Sequence, residues 1–382
     1  MAISQNTKKV LILHNIIVPY RVHLFNAMNV FYTRKNIKFK VIFLSESDKN
    51  RHWENFDIKF DFEVLKSSAI RVGKKDVFTF FINLNILKIL NRENPDKIIC
   101  FGWDHLASYV ANYWTNKNDR EFILWCGSTA LEKSWRRTLF NPLVKFIVRK
   151  STICVGDGSM HCDYLLHLGA NPSKTEVFYC QADIYYFESK ISAFTSIEKH
   201  AFKSNLGIRT SKLILFNGQL IHRKGIYELL KGFKLYQQND PSTSLLLLGR
   251  GPEKNKIIEF IQLNSIQQVF FQDFVQYDDV YKFYTISDLL ILPSNEEAWG
   301  LVINEAMICG LPIIATDRVG ASVDLIKDGQ NGYVIKVNCP ECIADAIAKI
   351  YVNQLNTKNN SKEIIRQFSF ENMIQSAKFM QL

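Results

Sequence analysis

Pro293-Ser294-Asn295-Glu296-Glu297-Ala298-Trp299-Gly300-Leu301-Val302-Ile303-Asn304-Glu305-Ala306-Met307-Ile308-Cys309-Gly310-Leu311-Pro312 is the stretch that decides the reading of this chain. Before it stands the apolar run Leu289-Leu290-Ile291-Leu292, and after it Ile313-Ile314-Ala315. Both runs have strand length and composition, and the residues between them read as a loop followed by a helix. The unit is strand, loop, helix, strand.

The order of residues carries chemistry. Gly300 permits a backbone turn that other residues resist, and a helix beginning near Leu301 leaves its first amide N–H groups without internal partners. A phosphate can take those N–H groups, helped by the positive end of the helix dipole, and the bare Gly300-Leu301-Val302 backbone lets it approach. Glu305 follows Leu301 by one turn and shares its face of the helix. A carboxylate there repels a lone phosphate but accepts hydrogen bonds from ribose hydroxyls, each charge-assisted bond being worth roughly 1.5–3 kcal/mol. Glu297, before the turn, can hold sugar hydroxyls. The stretch predicts a nucleotide diphospho-sugar site, with ribose at Glu305, phosphates at the helix start and sugar at Glu297.

Glu297-x7-Glu305, with Trp-Gly after the first Glu and Glu-Ala-x-x-x-Gly-x-Pro from the second, resembles the donor motif of family 4 of the retaining glycosyltransferases. The resemblance implies a GT-B fold: two Rossmann-like, doubly wound α/β domains facing each other across a cleft. It also implies that Pro19-Tyr20-Arg21-Val22-His23-Leu24-Phe25 is the Pro-Tyr-Arg-x-x-Leu-Phe entry loop of one subgroup. Many members carry a Gly-rich loop there; this chain does not. The match spans nearly the whole sequence, strongest over 218–332 and weakest over 51–97. An ordinary amphipathic helix with solvated Glu residues is the plain alternative, and motif in context argues against it.

At 382 residues the chain is too long for one comfortable core, which predicts two domains. We expect an acceptor-binding domain over 1–185, a nucleotide-sugar domain over 186–365, and a helix over 366–382 returning to the first domain, the last by resemblance. A net charge of +10 invites nucleic acid, an anionic membrane surface or phosphorylated substrates. The aromatic and glycine motifs of RNA modules are missing, so nucleic acid is not expected. The eight cysteines lie mostly inside apolar runs, which suits buried free thiols in a reducing, cytoplasmic compartment. Cys339-Pro340-Glu341-Cys342 has no second pair to complete a zinc site, reads as a helix start with Pro in its first turn, and is taken as chance spacing. Residues 1–18 superficially resemble a signal peptide but have only a strand's worth of apolar residues and no cleavage site, and no apolar run is long enough to span a membrane.

In the first half, strand-like runs at 8–13, 39–44, 97–101, 122–125 and 152–155 alternate with helix-like segments at 21–31 and 106–114. That alternation predicts a doubly wound domain whose ligand lies beyond the strands' carboxyl ends. Three residues there are acceptor-side candidates. Arg21 either holds an acceptor phosphate or pairs within the domain. Asp104 either accepts a hydrogen bond from the attacking hydroxyl, with His105 orienting it, or caps the following helix. The segment 133–150 has six basic and no acidic residues, interleaved with Trp, Phe, Leu, Ile and Val. It reads either as a membrane-interface segment toward anionic lipid or as a core helix with a solvated basic face. By resemblance, lipid-linked glycans at the inner membrane face favour the former.

The second half opens with a charged stretch at 185–205, without a clear strand, that suits an interdomain connection. Strand grammar restarts at 212–217 and leads into Gly218-Gln219-Leu220-Ile221-His222-Arg223-Lys224-Gly225. The family carries an Arg after the first Gly and a Lys before the second, both serving the donor diphosphate. Lys224 matches; Gln219 stands in the Arg position, and Arg223 compensates in part. Such cations stabilise the leaving nucleoside diphosphate without proton transfer. Gly249-x-Gly251 reads as a turn. Phe270 to Phe274 flank the base by resemblance, and Arg318 either contacts phosphate or pairs on the surface.

The reading is a glycosyltransferase moving a sugar from a nucleotide-diphosphate sugar to a hydroxyl of a glycan or glycolipid acceptor, retaining by resemblance. No Asp-x-Asp is found, so neither a metal nor a separate cofactor is expected. The alternative is a catalytically silent nucleotide-sugar-binding scaffold, suggested by Gln219.

Overall fold

The computed structural model describes residues 7–45, 57–65, 68–72, 78–83, 85–132, 135–352 and 357–382. The chain divides into two units, 1–179 with 370–382, and 180–369. Among the described residues no helix is long and apolar enough to cross a membrane.

Nearly continuous aliphatic runs make the strands of the first unit, as parallel strands covered on both faces require. They are β1 (Lys9–His14), β2 (Lys38–Phe43), β3 (Asp61–Val64), an antiparallel hairpin of β4 (Ser68–Val72) and β5 (Phe78–Ile82), β6 (Lys97–Phe101), β7 (Glu121–Cys126), β8 (Ile153–Gly156) and β9 (Thr175–Val177). The main sheet is parallel, in the order β3-β2-β1-β6-β7-β8-β9. The order reverses between β1 and β6, the switch point at which doubly wound folds open a crevice. Leu11, Leu13, Ile98, Cys100, Phe122 and Leu124 are fully buried in its core.

The chain's last residues complete this unit. Lys97, 1 % exposed, donates to the carbonyls of Phe379 (2.7 Å) and Gln381 and pairs with Glu121 at 3.0 Å. Three partners meet the cost of burying an ammonium group. Phe379 packs edge-on against Trp125 and Phe178.

The second unit has β10 (Lys212–Asn217), β11 (Thr243–Leu248), β12 (Val269–Gln272), β13 (Leu289–Leu292), β14 (Ile313–Thr316) and β15 (Gly332–Ile335). They form one parallel sheet in the order β12-β11-β10-β13-β14-β15. Its switch point lies between β10 and β13. The loops that leave those strands are therefore neighbours.

Three expectations are corrected. The stretch 185–205 is two helices, Ile184–Ala193 and Ser196–Asn205, the second opened by a capping box of Thr195 and Glu198, a Thr-x-x-Glu signal that the charge of the segment obscured. The first unit ends at Tyr179 rather than 185, and the return begins at Phe370 rather than 366. Both shifts follow from bonds within the second unit: Asn304 donates to the Cys180 carbonyl and to Gln181 Oε1, and Gln181 Nε2 donates to the Phe368 carbonyl. Finally, Cys339 and Cys342 are joined, not chance neighbours with free thiols. A helix start brings their Cα atoms to 5.2 Å, within disulfide range. Among the described residues, Cys100, Cys126, Cys154, Cys162 and Cys180 are buried and outside any disulfide, as is the partly buried Cys309.

Two buried histidines make the first unit acid-sensitive. His14 sits among Phe25, Phe43 and Phe101, and burial, with Arg21 nearby, pushes its pKa down to about 3; burial alone takes His105 to about 4. Below pH 6.5 the unfolded chain binds protons that the folded unit refuses, so stability falls as pH drops toward these values. Thermal melts from pH 7 to pH 4.5 should show a falling Tm. His105→Asn keeps a side chain able to cap and should make the fall shallower; a parallel pH profile would contradict this.

Candidate functional site

The site is built where two loops meet at the switch point of the second sheet. Gly300 has φ +94°, and the helix Leu301–Ile308 starts directly after it. A Cβ at this glycine would lie 2.9 Å from Val319 and 3.0 Å from Leu292, so both conformation and space demand glycine. The opening turn presents the amides of Leu301 and Val302 at partly exposed positions.

Across the switch point, the residues after β10 form the short turn His222–Lys224. Gly225 follows with φ +67°, and a Cβ there would meet the Pro293 carbonyl oxygen at 2.0 Å. The loops are zipped by two bonds: Asn295 N–H donates to the Arg223 carbonyl (2.8 Å), and the Arg223 guanidinium donates to the Glu296 carbonyl (3.1 Å). This close approach turns the largely buried Lys224 toward Glu297, with which it forms an ion pair. Glu297 is anchored through its backbone to Arg318 and Gly320.

Glu305 is 6 % exposed and accepts a hydrogen bond from the Tyr284 hydroxyl (2.6 Å), which in turn accepts one from Asn217 (2.7 Å). Burial pushes the Glu305 pKa up to about 7, against the lowering effect of Tyr284. Tyr284 and Asn217 were not found by sequence reasoning. Tyr284 lies on a helix unlinked to the motif by spacing, whereas Asn217, directly before Gly218, ends the strand that feeds the site.

The remaining second-unit candidates fall around this core. Gln219 and Arg223 are exposed, and Gly218 starts the loop. Gly249-x-Gly251 is more than a turn: Cβ atoms there would lie 2.0 Å from the Gly218 carbonyl oxygen and 2.2 Å from that of Leu220, so these glycines seat the Gly218–Leu220 backbone. Arg318 pairs with Asp317 at 4.0 Å. Arg250 lies over the Phe274 ring at 5.2 Å.

The acceptor-side candidates are placed differently. Arg21 is buried; its guanidinium donates to both Asp157 oxygens at 3.0 Å and lies over the Phe101 and Trp125 rings, while Trp125 donates to the same carboxylate at 2.8 Å. The internal pairing is what the geometry gives it. His105, not Asp104, caps the helix Leu106–Lys117: one ring nitrogen accepts from Ser108 N–H (3.2 Å) and the other donates to the Phe101 carbonyl (3.1 Å). Of the three, Asp104 is the exposed one.

Residues 198–368 match the family described as "Glycosyl transferases group 1". The chain is similar to an N-acetyl-alpha-D-glucosaminyl L-malate synthase of Bacillus anthracis, 30% identical over 179 residues, 45% of this chain and 46% of that protein. It is also similar to an alpha-monoglucosyldiacylglycerol synthase of Acholeplasma laidlawii, 28% identical over 150 residues, 38% of this chain and 37% of that protein. The chain spans about half the length of the curated relatives it matches, or less. Among solved structures, Anabaena Alr3699/HepE in complex with UDP superposes with a TM-score of 0.73 over 96% of this chain and 97% of that one, at 18% identity. The chain has the two-domain GT-B fold, and its residues 198–368 match the model of the glycosyl transferases group 1 family.

Proposed function

We propose that the chain is a retaining, metal-independent glycosyltransferase that takes a sugar from a nucleotide-diphosphate donor and passes it to a hydroxyl of a glycan or glycolipid. The observation that carries this reading is the Lys224–Glu297 ion pair at the open end of the helix Leu301–Ile308, one turn from Glu305. The diphosphate sits on the Leu301 and Val302 amides, with Lys224 and Arg223 as its cations. The ribose hydroxyls donate to Glu305 Oε1, while Tyr284 holds Oε2. Glu297 faces the sugar.

In the transfer, the bond from the anomeric carbon to the phosphate oxygen breaks, and the acceptor oxygen bonds that carbon on the same face. The acceptor proton passes to the leaving phosphate oxygen. The protein supplies positive charge where negative charge develops, and no side chain need act as the base.

Acceptor chemistry and location are read from the helix Trp135–Lys150. Leu139, Phe140, Leu143 and Phe146 are each more than half exposed, while Val144, Ile147 and Val148 are buried beneath them. Arg137, Lys145, Arg149 and Lys150 flank the apolar face. Phenylalanines beside cations suit the interface of an anionic membrane, a cytoplasmic inner leaflet in this reading.

Five outcomes are expected. In a thermal-shift panel of UDP-, GDP-, ADP- and TDP-sugars, at least one raises Tm by mass action. Glu305→Ala abolishes that shift, and in the wild type donor affinity rises between pH 6 and pH 8 as Glu305 ionises; a flat profile contradicts its ribose role. Lys224→Ala loses roughly a hundredfold or more in turnover of that donor, in hydrolysis or with an acceptor. A wild type that shifts but never turns over supports the silent scaffold instead. Phe140→Glu with Phe146→Glu should abolish sedimentation with phosphatidylglycerol vesicles; undiminished sedimentation would contradict the membrane reading.

A further inference from the structure

One buried polar chain in the second unit has no part in holding the donor. The Trp299 indole N–H donates to Asn304 Oδ1 at 2.9 Å. The Asn304 amide nitrogen donates to the Cys180 carbonyl at 3.1 Å and to Gln181 Oε1 at 2.9 Å. Gln181 Nε2 donates to the Phe368 carbonyl at 3.2 Å, and its Oε1 also accepts from Ala182 N–H at 2.8 Å. Asn304 is 0 %, Gln181 3 % and Trp299 6 % exposed.

The ends of this chain are what matter. Trp299 directly precedes the Gly300 turn. Cys180 and Phe368 stand beside the two places where the backbone passes between units, after Tyr179 and after Ser369. One asparagine and one glutamine therefore tie the turn of the donor loop to both crossing segments.

We propose that this chain is a coupling device: filling the phosphate seat at Gly300 orders the segments around 180–183 and 366–370. This rests on the donor reading above. A ligand that takes the Leu301 and Val302 amides immobilises the turn that carries Trp299. Asn304 has its oxygen and both amide hydrogens engaged, away from water, so it cannot rotate to a new arrangement without leaving a buried group unpaired. Restricted motion at Trp299 is thus passed to Gln181 and from there to Phe368, a coupling through order rather than displacement. Conversely, freeing the crossing segments loosens the seat, because coupling is reciprocal.

Amide hydrogen exchange on the full chain tests this, with and without whichever nucleotide sugar raises its Tm. Binding is expected to slow exchange over 180–183 and 366–370 by roughly fivefold or more, within the usual range of coupling between sites. Gln181→Met keeps the side-chain volume and cuts both links; it should still give a Tm shift, smaller than that of the wild type, and lose the protection over 366–370. Protection absent in the wild type, or equal in wild type and Gln181→Met, overturns the proposal. Should Gln181→Met not fold, Asn304→Ala and the wild-type comparison decide it. If no nucleotide sugar shifts Tm at all, the donor reading itself fails and this one falls with it.

Discussion

A carbonyl oxygen occupies the place where a side chain at residue 225 would begin. That contact, Pro293 against Gly225, sets how close the loops after β10 and β13 come. With any Cβ at 225 the loops would have to part, and the Asn295–Arg223 bond and the Lys224–Glu297 pair would part with them. The left-handed turn at Gly300 then aims the start of the next helix at the same spot. Two glycines thus convert a generic switch point of a parallel sheet into a seat with amides on one side and a lysine on the other.

The charges of this seat are arranged for exchange rather than permanence. Lys224 is paired with Glu297, so in the proposed donor reading an incoming diphosphate would share an ammonium group that already has a partner. Burial raises the Glu305 pKa to about 7, and the Asn217–Tyr284 bond chain fixes its direction. Raising a carboxyl this way costs folding stability as pH rises from its unfolded value of about 4.5 toward 7. The sign is opposite to that of His14 and His105 in the first unit, whose burial costs stability as pH falls.

Much of this was legible from the sequence because it lies in backbone-determined features. Aliphatic runs such as Leu289 to Leu292 can only be buried strands here, and a Gly directly before an apolar helix marks both a turn and an open amide end. What was not legible depends on tertiary neighbours. Arg21 looks like a phosphate ligand until Asp157, far along the chain, is seen to claim it. Asp104 is the cap the sequence suggests, and only the Ser108 N–H bond to the His105 ring shows that His105 takes that place. Tyr284 has no spacing relation to Glu305, and the charged stretch after Asp183 hid two helices. The Cys339–Cys342 bond needs no second cysteine pair, because a helix start brings the two side chains together unaided.

The central claim is that the backbone amides after Gly300 receive the donor's diphosphate. The direct measurement is the amide chemical shifts of an isotopically labelled chain titrated with UDP, GDP, ADP and TDP. The account predicts that the nucleotide that binds moves the Leu301 and Val302 resonances most, with Lys224 and Gly225 next. Saturation with all four leaving Leu301 and Val302 unmoved would contradict it.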